Sequence, residues 1–69
     1  MDRQPVVSSN IRSVGYDAND SILEIEFNNG AIYQYFDIPE NRYSDLISSD
    51  SIGGYLARHI KGYFRYSRV

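Results

Sequence analysis

Cysteine is absent from this 69-residue chain. That excludes disulfides, thiolate metal sites and cysteine nucleophiles together. Histidine occurs once, as His59, with no cysteine or second histidine to share a metal ion. The sequence therefore offers no zinc-type centre. Long apolar runs are missing as well: no stretch approaches the roughly 20 residues that cross a bilayer, and nothing resembles a signal peptide. These shortages lead to the expectation of a soluble, cytoplasmic protein without cofactor or membrane attachment. A chain this short makes one small domain with a modest core.

A second shortage is local. Residues 51–69 contain no acid, yet hold Arg58, Lys61, Arg65 and Arg68. All nine acids lie before residue 51, where they face only three bases. The net charge of -2 hides this division. It points either to electrostatic matching within the molecule or to a basic surface for an anionic partner. The whole-chain pI of about 5.1 weighs against nucleic-acid binding in general, so the local cluster carries that idea alone. What the chain has in plenty is aromatic side chains, seven tyrosines and three phenylalanines.

Residues 1–8 lack periodicity and contain Pro5, and read as a flexible lead-in to a single domain over residues 9–69. Ser9 to Asp17, "SNIRSVGYD", reads as a strand with imperfect alternation of Ile11, Val14 and Tyr16, Gly15 marking a bulge. "ANDS" is a turn. In "ILEIEF", Leu23, Ile25 and Phe27 share one face while Glu24 and Glu26 share the other, as in a half-buried antiparallel strand. Asn29-Gly30 signals a hairpin, and Ile32 to Asp37 is the return strand. Its register stays open. A two-residue loop sets Tyr33 and Tyr35 against the glutamates and buries Ile32 and Phe36. A three-residue loop, with Gly30 left-handed, sets Tyr33 against Ile25 and Tyr35 against Leu23, in the core.

Pro39 suits a helix's first turn, and Tyr43, Leu46 and Ile47 follow helical spacing. Asp50 or Ser51 caps a second helix whose buried stripe is Ile52, Tyr55, Leu56, His59 and Ile60, and Gly62 ends it. The tail is a last strand or an extended segment. The predicted fold is α+β: a three-stranded antiparallel β-meander, four-stranded if the tail pairs, followed by two short α-helices. The helices cover the face of Leu23, Ile25 and Phe27 and leave the other face open.

No convergent catalytic set is visible, so the chain does not read as an enzyme. Glu24 and Glu26 share a strand face, but exposed strand acids ordinarily solubilise. In "DSIGGY", Ser51, Gly53 and Gly54 open a helix and could cradle an anion; close packing of the two helices accounts for the glycines equally. In "RHIKGYFRYSR", Arg58, Lys61, Arg65 and Arg68 can meet phosphates, while Tyr63, Phe64 and Tyr66 can stack on unpaired bases. The plainer alternative keeps these bases solvated, with the aromatics anchoring the tail.

Taken in order, "SSNIRSVGYD", "LEIEFNNGAIYQYFDIP" and "SIGGYLARHI" resemble the KTSC domain. That family is named for a C-terminal appendage of some lysyl-tRNA synthetases and also occurs as free-standing small bacterial proteins. Its central Tyr-x-Tyr is matched by Tyr33 and Tyr35. The resemblance implies no catalytic residues and no established function. It suggests RNA as a partner, tRNA or another structured RNA, without identifying which; the alternative is another protein, met by the open sheet face or an edge strand. Monomer and weak homodimer are both compatible with the chain.

Overall fold

A computed structural model describes residues 1–69. Five antiparallel strands follow one another in chain order across a single sheet: β1 (Gln4–Pro5), β2 (Ile11–Asp17), β3 (Ile22–Phe27), β4 (Ile32–Tyr35) and β5 (Tyr66–Arg68). Between β4 and β5 come α1 (Glu40–Ser48) and α2 (Ile52–Tyr55), which runs on into a single π turn at Leu56–Ile60. The fold is α+β, but three or four strands is an undercount. The tail does pair, as β5. The extra strand, β1, lies inside the expected lead-in, where Gln4 pairs with Val14 and Pro5 with Ser13. Two residues are too few to show a hydrophobic period, and proline at a sheet edge is the tolerated case.

The imperfect alternation of β2 has a structural cause. Ile11 pairs with Phe27 and Ser13 with Glu26, so Arg12 is an extra residue in the strand. This bulge lets Ile11 and Val14, three apart, face the same side. Gly15 is not the bulge. Its role is clearance: a Cβ there would lie 2.7 Å from the Asp2 carbonyl oxygen and 3.0 Å from Arg3 Cγ. The N-terminal segment therefore crosses the sheet directly over Gly15.

The hairpin adopts the three-residue loop. Phe27 N–H donates to the Ala31 carbonyl at 2.9 Å, and Gly30 takes φ +91°, a conformation that glycine adopts freely. Ile25 then faces Tyr33, and Leu23 faces Tyr35. Ile32 and Phe36, which the other register would bury, are only half-buried.

Ile11, Val14, Leu23, Ile25, Tyr35, Ile38, Leu46, Leu56 and Ile60 form one buried cluster, each large aliphatic side chain contributing about 1.5–3 kcal/mol by its burial. Leu46 joins from α1 as predicted, but Ile47 is 41% exposed. The second helix departs further. Leu56 and Ile60 are buried, Ile52 and Tyr55 half-buried, and His59 exposed. A π turn winds more residues per turn than an α-helix. Positions four apart stay aligned there, and His59, three after Leu56, swings outward. Gly62, at φ +85°, turns the chain toward β5.

Candidate nucleic-acid interface

Cross-strand partners share a face, and this rule assembles the site. Tyr33 pairs with Arg68, and Tyr35 with Tyr66. All four therefore lie on the helix-bearing face, together with Phe27. The loop after the π turn brings Lys61 alongside. The result is a groove of about 510 Å³ walled by Phe27, Tyr33, Tyr35, Tyr66, Lys61 and Arg68, with no acid in its lining.

The rings form a continuous cluster. Phe27 meets Tyr33 edge-on with centroids 5.6 Å apart, and Tyr66 lies tilted at 5.7 Å from Tyr33 and 5.9 Å from Tyr35. Tyr66 remains 61% exposed. Lys61 Nζ stands 5.8 Å from the Phe27 centroid, within cation–π range. Neither Lys61 nor Arg68 takes part in any of the molecule's ion pairs. Burial, followed by the neighbouring Tyr33 and Tyr66, pushes the Tyr35 phenol above its ordinary value of 10.0.

The remaining candidates of the tail lie elsewhere. Tyr63 and Arg65 border a second, more open depression that shares Gly62 and Tyr66 with the groove, beside Phe36 and Phe64. Arg65 pairs with Asp37 at 2.8 Å, both side chains being well exposed, and its guanidinium carbon lies 5.7 Å from the Phe36 centroid. Arg58 is exposed on the π turn and lines neither recess. Phe27 belongs to the groove although the sequence placed it in the core. Its pairing next to Tyr33 depends on the three-residue loop, so only the register could have revealed it.

The helix-opening glycines have a local explanation. Ser51 caps α2 by accepting from the Gly54 N–H at 3.0 Å. A Cβ on Gly53 would collide with Asn10 Oδ1. The room that this glycine leaves is taken by the loop before β2, and not by α1.

The opposite sheet face, expected to be open, is partly covered and internally paired. Arg3 reaches over it to form an ion pair with Glu24, and its Nε donates to Ser13 Oγ at 3.0 Å. Ser13 donates to Glu26 Oε1 at 2.8 Å, and the Gln34 amide donates to Glu24 Oε1 at 2.8 Å. Burial pushes the Glu24 carboxyl up, but the hydrogen bonds from Gln34 and Arg3 and the Arg3 charge outweigh it. Its pKa lies below the ordinary 4.5.

The fold and groove define a small α+β domain that presents an aromatic, cation-flanked recess beside a meander's edge. The KTSC domain family model matches residues 7–64. The chain belongs to the KTSC domain family. It is 39% identical to an uncharacterized protein of Stutzerimonas stutzeri, covering 100% of this chain and 99% of the relative. It is similar over 59 residues, at 34% identity, to a lysine–tRNA ligase of Nostoc, a match covering 86% of this chain but 10% of the ligase. The crystal structure of a KTSC domain protein from Yersinia pestis superposes with a TM-score of 0.93 at 40% identity, covering 99% of this chain and 96% of that one. No helix here is long and apolar enough to cross a membrane.

Proposed function

We propose that the domain binds RNA, with tRNA as the first class to try, and that the contact is the groove and its cationic rim. One observation carries this reading: Lys61 and Arg68 flank an aromatic cluster that opens to solvent at Tyr66, and neither has a carboxylate partner. Two free cations beside stackable rings suit a phosphate chain carrying unpaired bases. The acidic whole-chain charge does not oppose it locally, because no acid lines the groove. The likeness to part of a lysine–tRNA ligase adds support from context. The Tyr63 and Arg65 depression would extend the same contact around Tyr66.

The test is a titration with bulk tRNA at two salt concentrations, using the parent and a Lys61→Glu/Arg68→Glu variant. About two phosphate contacts predict a roughly tenfold loss of affinity between 50 and 200 mM salt. The charge reversal is expected to abolish binding at both concentrations. A variant that binds like the parent would remove the groove from the account.

A second reading has its own observation. β5 is an edge strand, pairing only with β4, and Tyr66, Ser67 and Arg68 are all exposed. An extended peptide could add a strand there. Such binding would depend little on salt.

A further inference from the structure

The groove contains a detail that charge and stacking leave unexplained. Tyr35 is only 2% exposed, and its hydroxyl is in none of the hydrogen bonds made by side chains, whereas Tyr16, also facing the core, donates to the Ile38 carbonyl at 2.6 Å. Yet no fully buried side-chain polar atom lacks a partner. The small part of Tyr35 that reaches solvent therefore includes its hydroxyl, and Tyr35 lines the groove. A phenylalanine would fill the same core position; the hydroxyl adds a polar group in the groove lining that no side chain engages. The hydroxyl is placed to meet something that enters from outside.

We infer that the groove holds one unpaired nucleotide of the RNA, its base inserted edge-first so that the Tyr35 hydroxyl hydrogen-bonds it. This rests on the RNA-binding reading above and makes it specific to single strands. The base lies against Tyr66 and Tyr33, the rings that flank Tyr35, while Lys61 and Arg68 take the phosphates on either side. A recess of about 510 Å³ is within the range of small-molecule sites and admits one base with its sugar. A duplex keeps its bases stacked and their Watson–Crick edges paired, so none of them can enter the recess edge-first. A phenol hydroxyl both donates and accepts, so it can pair with any base edge. The site is therefore selective for unpaired over paired RNA and tolerant of sequence.

The experiment compares an unstructured octaribonucleotide of mixed sequence with an RNA hairpin duplex at low salt, for the parent and for Tyr35→Phe. The parent is expected to bind the single strand at least about tenfold more tightly than the duplex. Tyr35→Phe, which keeps the ring, is expected to lose about 5–10-fold on the single strand and nothing on the duplex. Tyr66→Ala, at an exposed ring, provides a second variant if Tyr35→Phe fails to fold, and is expected to show the same one-sided loss. Equal binding of single strand and duplex by the parent would overturn the inference while leaving the RNA reading intact. So would Tyr35→Phe binding the single strand like the parent. If neither RNA binds, the RNA reading itself fails, and the inference with it.

Discussion

On the sheet face away from the helices, charged and polar side chains answer one another: Arg3 with Glu24, Ser13 with Glu26, Gln34 with Glu24. In the groove on the helix-bearing face the opposite holds, since Lys61 and Arg68 are unpaired and the Tyr35 hydroxyl has no partner in the chain. Both regions are built on the same two strands, β3 and β4, from side chains on alternating positions. The difference teaches where the molecule spends its polar groups on itself and where it holds them in reserve. A satisfied network stabilises and binds little. An unsatisfied cluster adds little stability and is available to a ligand.

The comparison is most severely broken from beneath. Ile25 is fully buried and sits between the two regions. Ile25→Ala is expected to cost about 2–5 kcal/mol, against a total of roughly 3–10 kcal/mol for a chain of this size. A urea titration would show the midpoint collapse, and both surfaces would be lost together. A sharper cut is Arg3→Ala, which strips the partly buried Glu24 of its ion pair. It is expected to cost about 1–2 kcal/mol in urea unfolding while RNA affinity stays as in the parent. The groove reversal, Lys61→Glu/Arg68→Glu, should do the converse: loss of RNA binding with stability within about 0.5 kcal/mol.

The back face also predicts a pH dependence. The Glu24 pKa is lowered in the folded state, so its contribution is fully present above the unfolded value of about 4.5 and is lost as pH falls below it. Stability measured from pH 6 downward should drop through that window, and Glu24→Gln should flatten part of the slope. The smallest effect belongs to Arg65 and Asp37. Their pair is 77% and 74% exposed by side chain, and Arg65→Ala is expected to leave thermal stability unchanged within error.

Much of this architecture was legible in the residues. Glu24 and Glu26 alternating with Leu23, Ile25 and Phe27 announce β3, Asn29-Gly30 the hairpin, and Ser51 and Gly62 bound the second helical segment. The register was not legible, because alternation in Ile32, Phe36 and Ile38 argued one way and the bulk of the tyrosines the other. A loop one residue longer reversed every side chain of β4, and with it the place of Tyr33 and Tyr35. The cluster of cations and rings in residues 58–68 was visible as composition. Its division was not: the pairing of Tyr66 with Tyr35 puts Arg68 in the groove, the loop after the π turn adds Lys61, and Arg65 pairs with Asp37 instead. The outward turn of His59 came from the π turn, which has no signature in the helical spacing around it.

The most direct measurement is an amide chemical-shift map of the labelled protein with bulk tRNA at low salt. The account predicts shifts at Phe27, residues 31–35 and residues 61–68, weakening as salt rises, with Arg3, Ser13 and Gly15 unmoved. Shifts centred on Arg3, Ser13 and Gly15, or none anywhere at low salt, would contradict it.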